Sequence, residues 1–113
     1  MRIYASALVI LIVLSALGAG SEHASNYARP AAQLYRRYCV SCHGTDGKSK
    51  TSKGKYSHAR DLTDAGWQAD VSDERIFNSI NNGRNQRGNM PAFGQKLSEP
   101  EINSLVTFIR GMK

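Results

Sequence analysis

Hydrophobic residues recur at helical spacing in three parts of the chain, and the C-terminal part has the clearest pattern. In SEPEINSLVTFIRGMK the apolar residues between positions 102 and 109 follow the i, i+3, i+4, i+7 rule, and Phe108 widens this face. Ser98 precedes them with Glu101 three residues later, which is the spacing of a capping box, and Pro100 is tolerated in the first turn. A helix is predicted here.

Two more helices are predicted upstream. The stretch PAAQLYRRYCVSCHG begins with Pro30, which suits a first helical turn, and Gly44 ends it. Its apolar stripe consists of Leu34, Tyr35 and Tyr38. The stretch SDERIFNSINNG has Ser72 as its N-cap and Gly83 as its stop signal. Between them, DLTDAGWQADV predicts a short turn or helix that presents Trp67.

The segments between these helices are polar and rich in glycine. GTDGKSKTSKGKYSHARD is predicted to be a surface loop with a positive field and not a core element. Its five basic residues are Lys48, Lys50, Lys53, Lys55 and Arg60. GRNQRGNMPAFGQK is predicted to be a second loop, with Met90 and Pro91 near its centre. Without a convincing strand or repeat, the pattern predicts a small all-α domain with long loops.

The N-terminus has the pattern of a secretory signal peptide over residues 1–20. Arg2 precedes an apolar run from Ile3 to Leu17, and small residues follow it. As a helix this run would span roughly 22 Å, short of the ~30 Å hydrocarbon core. We therefore expect a cleaved signal instead of a retained anchor, no stable membrane insertion afterwards, and a periplasmic or otherwise exported bacterial protein.

Cleavage would leave a flexible segment, residues 21–29, and one domain, residues 30–113. A domain of this size has a marginal core and often needs a staple such as a disulfide, a metal or a cofactor. The full chain has a net charge of +6, and removal of Arg2 with the leader lowers it to +5. A charge of this sign bears on association with partners and not on the fold.

The stretch CVSCHG contains both cysteines of the chain, Cys39 and Cys42, and His43 follows the second one directly. A zinc site would need further ligands, a thioredoxin-like pair would need a βαβ setting, and a disulfide would leave His43 unexplained. Covalent haem attachment uses all three residues. Two thiols on one helical turn can bond one edge of the porphyrin, and the histidine after them faces the iron.

Haem iron held by His43 needs a second axial ligand or keeps an open position. Met90 lies 47 residues later in a glycine-rich loop that Pro91 stiffens. A thioether there can reach the other face of the haem, and Met/His ligation raises the reduction potential. Filling a gap in the core is the alternative role of Met90.

From Pro30 to Lys113 the chain resembles a class I c-type cytochrome, a small monohaem electron carrier. AAQLYRRYCVSCHG is similar to the family's N-terminal helix and attachment motif, NMPAFG to its methionine loop, and LSEPEINSLVTFIRGMK to its C-terminal helix. The resemblance implies an all-α cytochrome c-like fold, with crossed terminal helices and one or two middle helices around one haem c. At the crossing it implies a small residue, Ala31 or Ala32, against Phe108, alongside Tyr35.

One departure concerns the proximal side of the haem. The family often has a proline after the attachment motif whose carbonyl accepts the proximal histidine N–H, but this chain has no proline between Pro30 and Pro91. A carbonyl near Ala59 or Arg60 is expected to replace it.

Further residues carry weaker signals. Trp67 is expected either to donate its indole N–H to a haem propionate or to pack in the core. Arg60, Arg84 and Arg87 are candidates for pairing with the propionates or, more simply, solvated charges, and His58 is expected to be an exposed loop residue.

The resemblance implies an electron carrier and not an enzyme. We expect a monomeric periplasmic shuttle that docks transiently with acidic redox proteins and binds no nucleic acid. One alternative is a dedicated subunit through which electrons enter a larger oxidoreductase. Another is a haem sensor or peroxidase-like protein in which Met90 detaches.

Overall fold

The structure is a computed structural model that describes residues 27–86 and 88–113. The predicted leader, residues 1–20, and residues 21–26 of the segment after it lie outside this part of the chain. The described residues form six helices: α1 Ala31–Tyr38, α2 Val40–His43, α3 Ser52–Tyr56, α4 Ala65–Asp70, α5 Asp73–Asn82 and α6 Glu99–Arg110. None of them is long and apolar enough to cross a membrane.

The predicted all-α class is confirmed. Over the described ranges the only extended pairing is an isolated bridge between Arg84 and Met90. The predicted N-terminal helix is divided in two at Cys39, where φ widens to −113° between α1 and α2 while the backbone stays in the right-handed helical region. More short helices separate the terminal ones than the one or two expected, since α3, α4 and α5 all lie between them.

The prediction that GTDGKSKTSKGKYSHARD forms only a surface loop is wrong. Thr51 caps the N-terminus of α3, because its side chain accepts the N–H of Gly54. Gly54 and Ser57 are buried, and α3 packs against α2. The lysines of this stretch are nevertheless exposed, as predicted.

The core lies where α1 crosses α6. Leu34 of α1 is fully buried with Ile102 and Leu105 of α6. At the crossing the rings of Tyr35 and Phe108 have centroids 5.2 Å apart, an arrangement that favours edge or offset contact. Of the two candidate alanines, Ala31 is half-buried and Ala32 is exposed. The other core side chains are Leu62, Ile76, Ile80, Phe93, Leu97, Val106 and Ile109.

The capping box at the start of α6 is confirmed and carries a second contact. Ser98 accepts the Glu101 N–H while the Glu101 carboxylate accepts the Ser98 N–H. The same carboxylate binds the Arg29 guanidinium through both oxygens, at 2.7 and 3.0 Å. These bonds, from Arg29 first and Ser98 second, lower the pKa of Glu101 to about 2. Arg29 thus ties the chain before α1 to α6.

The C-terminal end of α6 is joined to the α4–α5 connection by Arg110. Its guanidinium donates to the carbonyl oxygens of Gln68 and Val71, and its Nε lies 2.6 Å from the Asp73 carboxylate. Gln68 in turn donates to the Ile109 carbonyl. This network fixes α4, which carries Trp67, against α6.

Candidate cofactor site

One cavity of about 440 Å³ is lined by Cys39, Cys42, His43 and Met90, the four residues that the sequence singled out for haem attachment and iron ligation. Cys39 closes the turn between α1 and α2, and its N–H donates to the Tyr35 carbonyl. Because α2 is a single turn, it brings Cys42 and His43 to the same wall as Cys39. The cavity volume falls within the range of small-molecule and cofactor pockets.

The remaining wall of the cavity is largely apolar. It is formed by core side chains from several elements, so the cavity opens directly onto the hydrophobic core. Its apolar lining includes Leu62, Ile76, Ile80, Phe93 and Ile109. A mainly apolar wall with a few polar groups suits a flat hydrophobic cofactor.

His43 is held in one orientation from behind. Its Nδ1 lies 2.9 Å from the carbonyl oxygen of Arg60, so Nδ1 carries the proton and Nε2 keeps a free lone pair. The expectation that a carbonyl near Ala59 or Arg60 replaces the usual proline carbonyl is therefore confirmed. Burial lowers the pKa of His43 against the opposing effect of the Arg60 carbonyl, so the imidazole is neutral at neutral pH.

The two cysteines are not joined to each other. Both are half-buried free thiols. Burial, followed by the neighbouring Cys42, raises the pKa of the Cys39 thiol to about 12. The Ser57 hydroxyl lies 3.7 Å from the Cys42 sulfur, which places α3 beside the second thiol. Both thiols are available for a covalent bond to a group in the cavity.

Met90 reaches the cavity on a loop that is pinned by backbone hydrogen bonds. Met90 and Arg84 exchange N–H···O bonds of 2.9 and 3.0 Å, and the Asn89 N–H donates to the Ser57 carbonyl. Gly83 has a φ of 72°, and a Cβ built there would lie 2.6 Å from the Met90 carbonyl oxygen. Glycine is needed at this turn because any side chain would push the methionine loop away.

The polar part of the lining includes Trp67, Arg60 and Arg84, which the sequence had singled out. Trp67 is half-buried and packs against the core at the same time. His58 is exposed, as expected, although it also borders the cavity. The structure does not describe Arg87.

Arg75 also lines the cavity, although it was not among the residues predicted from the sequence. Arg75 precedes the buried Ile76 on α5, and one turn later Ser79 precedes the buried Ile80 in the same way. This repeat of a polar residue next to a buried isoleucine, four residues apart, was the pattern in the sequence that could have placed Arg75 at the cavity. Its charged neighbours at the N-terminus of the helix made it look like an ordinary surface residue.

Residues 26–109 match the family model described as cytochrome c oxidase, cbb3-type, subunit III. The subunit FixP of the cbb3-type cytochrome c oxidase of Azorhizobium caulinodans is 33% identical over 82 residues, 73% of this chain. The corresponding subunit CcoP of Cereibacter sphaeroides is 27% identical over 93 residues, 82% of this chain. The chain spans only 26% and 30% of the lengths of these two relatives.

Among solved structures, the KustC0563 c-type cytochrome is 41% identical and superimposes with a TM-score of 0.69. The match covers 75% of this chain and 99% of that one. A mutant of the same cytochrome matches with 40% identity and a TM-score of 0.67. The expected cytochrome c-like fold is thereby confirmed.

The cavity fits the covalently attached haem c of such domains. Two free thiols on one helical turn and a neutral imidazole with a free Nε2 line its wall. A thioether, that of Met90, lines the same cavity. Imidazole and thioether groups are iron ligands of cytochromes c, and paired cysteine thiols are the groups that attach haem c covalently. The residues could therefore hold the group.

Proposed function

We propose that this chain, which belongs to the family of cytochrome c domains described as cytochrome c oxidase, cbb3-type, subunit III, is the part of a larger oxidoreductase through which electrons enter. Its one haem c supplies a couple that exchanges single electrons between iron(II) and iron(III). The matches to oxidase subunits extend over most of the described domain, and this observation carries the proposal.

In this proposal Cys39 and Cys42 would hold the haem through two thioether links, and His43 would bind the iron through Nε2. Met90 would supply a second iron ligand. The Arg60 carbonyl fixes the tautomer and direction of His43 from behind, at 2.9 Å. With protein side chains at both axial positions, the chain has the features of an electron carrier and not of an oxygen-activating enzyme.

The polar rim has a separate role. Trp67, Arg60, Arg75 and Arg84 border the cavity where negatively charged groups of the cofactor would need partners. Arginine suits this task because its planar fork binds carboxylates through two hydrogen bonds. The apolar remainder of the wall keeps water from the buried side.

A diffusible carrier is a second candidate. The match covers 99% of the solved chain of the KustC0563 c-type cytochrome, and this similarity supports the shuttle that the sequence predicted. The two candidates differ in whether the native protein stays bound to an enzyme.

Gel filtration of native protein, solubilised from the source cells in mild detergent, separates the two candidates. We expect haem-stained peptide from this chain to migrate with an oxidoreductase in fixed stoichiometry, at low and at moderate salt. Elution as a free species of about the domain's own mass, at both salt concentrations, would support the diffusible carrier instead. Signal cleavage and export can be read from the N-terminus of the same sample.

The basic stretch from Lys48 to Arg60 is proposed as the docking face. Its five basic side chains, Lys48, Lys50, Lys53, Lys55 and Arg60, are all exposed, and we refer to them as the lysine face. Lys53 and Arg60 also line the cavity. Tyr56 is 83% exposed within it, and exposed tyrosines are enriched at protein interfaces. An acidic partner would be attracted to this face and would meet the side of the cavity that carries Cys42.

Reversing two charges of the lysine face should change the rate of electron transfer to charged probes. For the holoprotein with Lys53→Glu and Lys55→Glu, we expect oxidation by hexacyanoferrate(III) to slow by about tenfold at low ionic strength. Oxidation by the cationic tris(phenanthroline)cobalt(III) should accelerate, and both effects should shrink as salt screens the charges. Stopped-flow absorbance measures both rates.

The matched control makes the same change in net charge elsewhere. Arg36 and Lys113 are exposed and do not line the cavity, so Arg36→Glu with Lys113→Glu should alter the rates much less. Equal effects of the two pairs would mean that net charge alone steers the probes. The lysine face would then have no special role.

A further inference from the structure

The carbonyl group that orients His43 accepts a second hydrogen bond. The Arg60 oxygen lies 2.9 Å from His43 Nδ1, and the Ser49 hydroxyl donates to the same oxygen. The Ser49 oxygen is itself 3.1 Å from His43 Nδ1. Three polar groups from three segments of chain therefore meet behind the imidazole.

Ser49 is held in this position by the backbone. Its N–H donates to the His43 carbonyl at 2.9 Å, and the residue is buried, with 8% of its surface exposed. The loop segment that contains Ser49 is joined to the segment after Arg60 by a hydrogen bond from the Leu62 N–H to the Gly47 carbonyl. At Ser49 φ is 57°, in the left-handed region where glycine would be free of strain. Serine at this position supplies a hydroxyl to the Arg60 carbonyl, which glycine would lack.

The hydroxyl changes the strength of the bond behind His43. A carbonyl oxygen that already accepts one hydrogen bond is a weaker acceptor for a second donor. The partner on Nδ1 controls how electron-rich the imidazole is at Nε2, since a stronger acceptor raises the basicity of the ligand. The Ser49 oxygen also faces Nδ1, but it is farther away than the carbonyl oxygen, and a hydroxyl accepts less strongly than an amide.

We propose that Ser49 is a positioning residue that weakens the hydrogen bond from His43 to the Arg60 carbonyl and thereby raises the reduction potential of the protein. A less electron-rich imidazole stabilises iron(III) less, so the reduced form is favoured. The inference rests on the proposed role of His43 as an iron ligand. Ser49, a serine in a polar loop, would thus adjust the reduction potential beyond the value set by the iron ligands.

The test measures the reduction potential of the holoprotein with Ser49→Gly and with Ser49→Ala by spectroelectrochemical titration. We expect a lower potential in both variants than in the unmodified protein. In NMR spectra of the reduced protein, the His43 Nδ1–H resonance should move downfield as its bond to Arg60 strengthens. Glycine relaxes the backbone at this φ and alanine does not, so a shift common to both reports the hydroxyl.

Ser104→Ala is the matched control. Ser104 lies on α6 and does not line the cavity, and its hydroxyl donates to the Pro100 carbonyl at 2.9 Å, so its loss should leave both the Nδ1–H resonance and the reduction potential in place. An unchanged or raised potential in Ser49→Gly, with a normal absorption spectrum, would overturn the Ser49 proposal alone. If the unmodified protein lacked the spectrum of a histidine-ligated haem, the proposed site itself would be wrong.

Discussion

Replacing Gly54 with alanine is expected to destabilise the folded holoprotein by about 3 kcal/mol, because α3 lies directly against the backbone of α2. A Cβ built on Gly54 would lie 2.1 Å from the Cys42 carbonyl oxygen. It would also lie 2.9 Å from the Ser49 carbonyl oxygen and from Thr51 Oγ1. Two of these three atoms belong to the backbone, so no side-chain rotation can relieve the overlap. The helix has to move away from the turn that carries Cys42.

The same substitution at Gly66 is the control. Gly66 also lies within a short helix, α4, but it is exposed, and the nearest atom to a built Cβ is Asp64 Oδ1 at 3.4 Å. Alanine favours helix more than glycine, so Gly66→Ala should leave stability unchanged or raise it by up to about 1 kcal/mol. Urea titration followed by far-UV circular dichroism gives both free energies of unfolding. Equal stability of the two variants would show that α3 does not press on α2.

The helices that could be predicted from the sequence are those that pack on the core through apolar side chains. In α6 the apolar positions recur at helical spacing and Ser98 marks the start, so the pattern alone gives the element. The helix α3 could not be found this way. Its closest approach to α2 is at the bare backbone of Gly54, and a glycine that allows close approach has the same appearance in a sequence as a glycine in a loop.

The residues of the candidate site likewise fall into those that the sequence could predict and those that it could not. Cys39, Cys42 and His43 are adjacent in sequence, so one turn of helix suffices to bring them together, and the motif predicted them directly. The Arg60 carbonyl could be placed only to within a residue, because every residue supplies a carbonyl and tertiary packing chooses among them. Ser49 and Arg75 reach the site through loop closure and helix orientation, for which a single sequence carries little signal.

Removal of His43 or Cys42 is expected to abolish most of the holoprotein, whereas removal of Met90 should leave the haem attached. The domain is small, and the cavity interrupts its core between α1–α2 and α5. Without a cofactor in the cavity, that part of the core lacks packing partners, and cofactor binding contributes directly to folding. For His43→Ala and Cys42→Ala we expect the yield of haem-stained protein to fall by at least about tenfold. Normal yields of both variants would contradict the proposed attachment.

The Met90→Ala variant tests the second ligand separately from attachment. We expect its absorption spectrum to lose the weak near-red sulfur-to-iron band and the reduced protein to bind carbon monoxide, because the loop then offers no thioether. Met112→Ala is the matched control, since Met112 is half-buried after α6 and does not line the cavity. If the band is lost in Met90→Ala but kept in Met112→Ala, the sulfur ligand is Met90 and not merely any methionine of the domain. A band that persists in Met90→Ala would assign Met90 to packing and the ligand to another sulfur. If the unmodified protein lacked the band and bound carbon monoxide readily, the sensor or peroxidase-like alternative would be favoured.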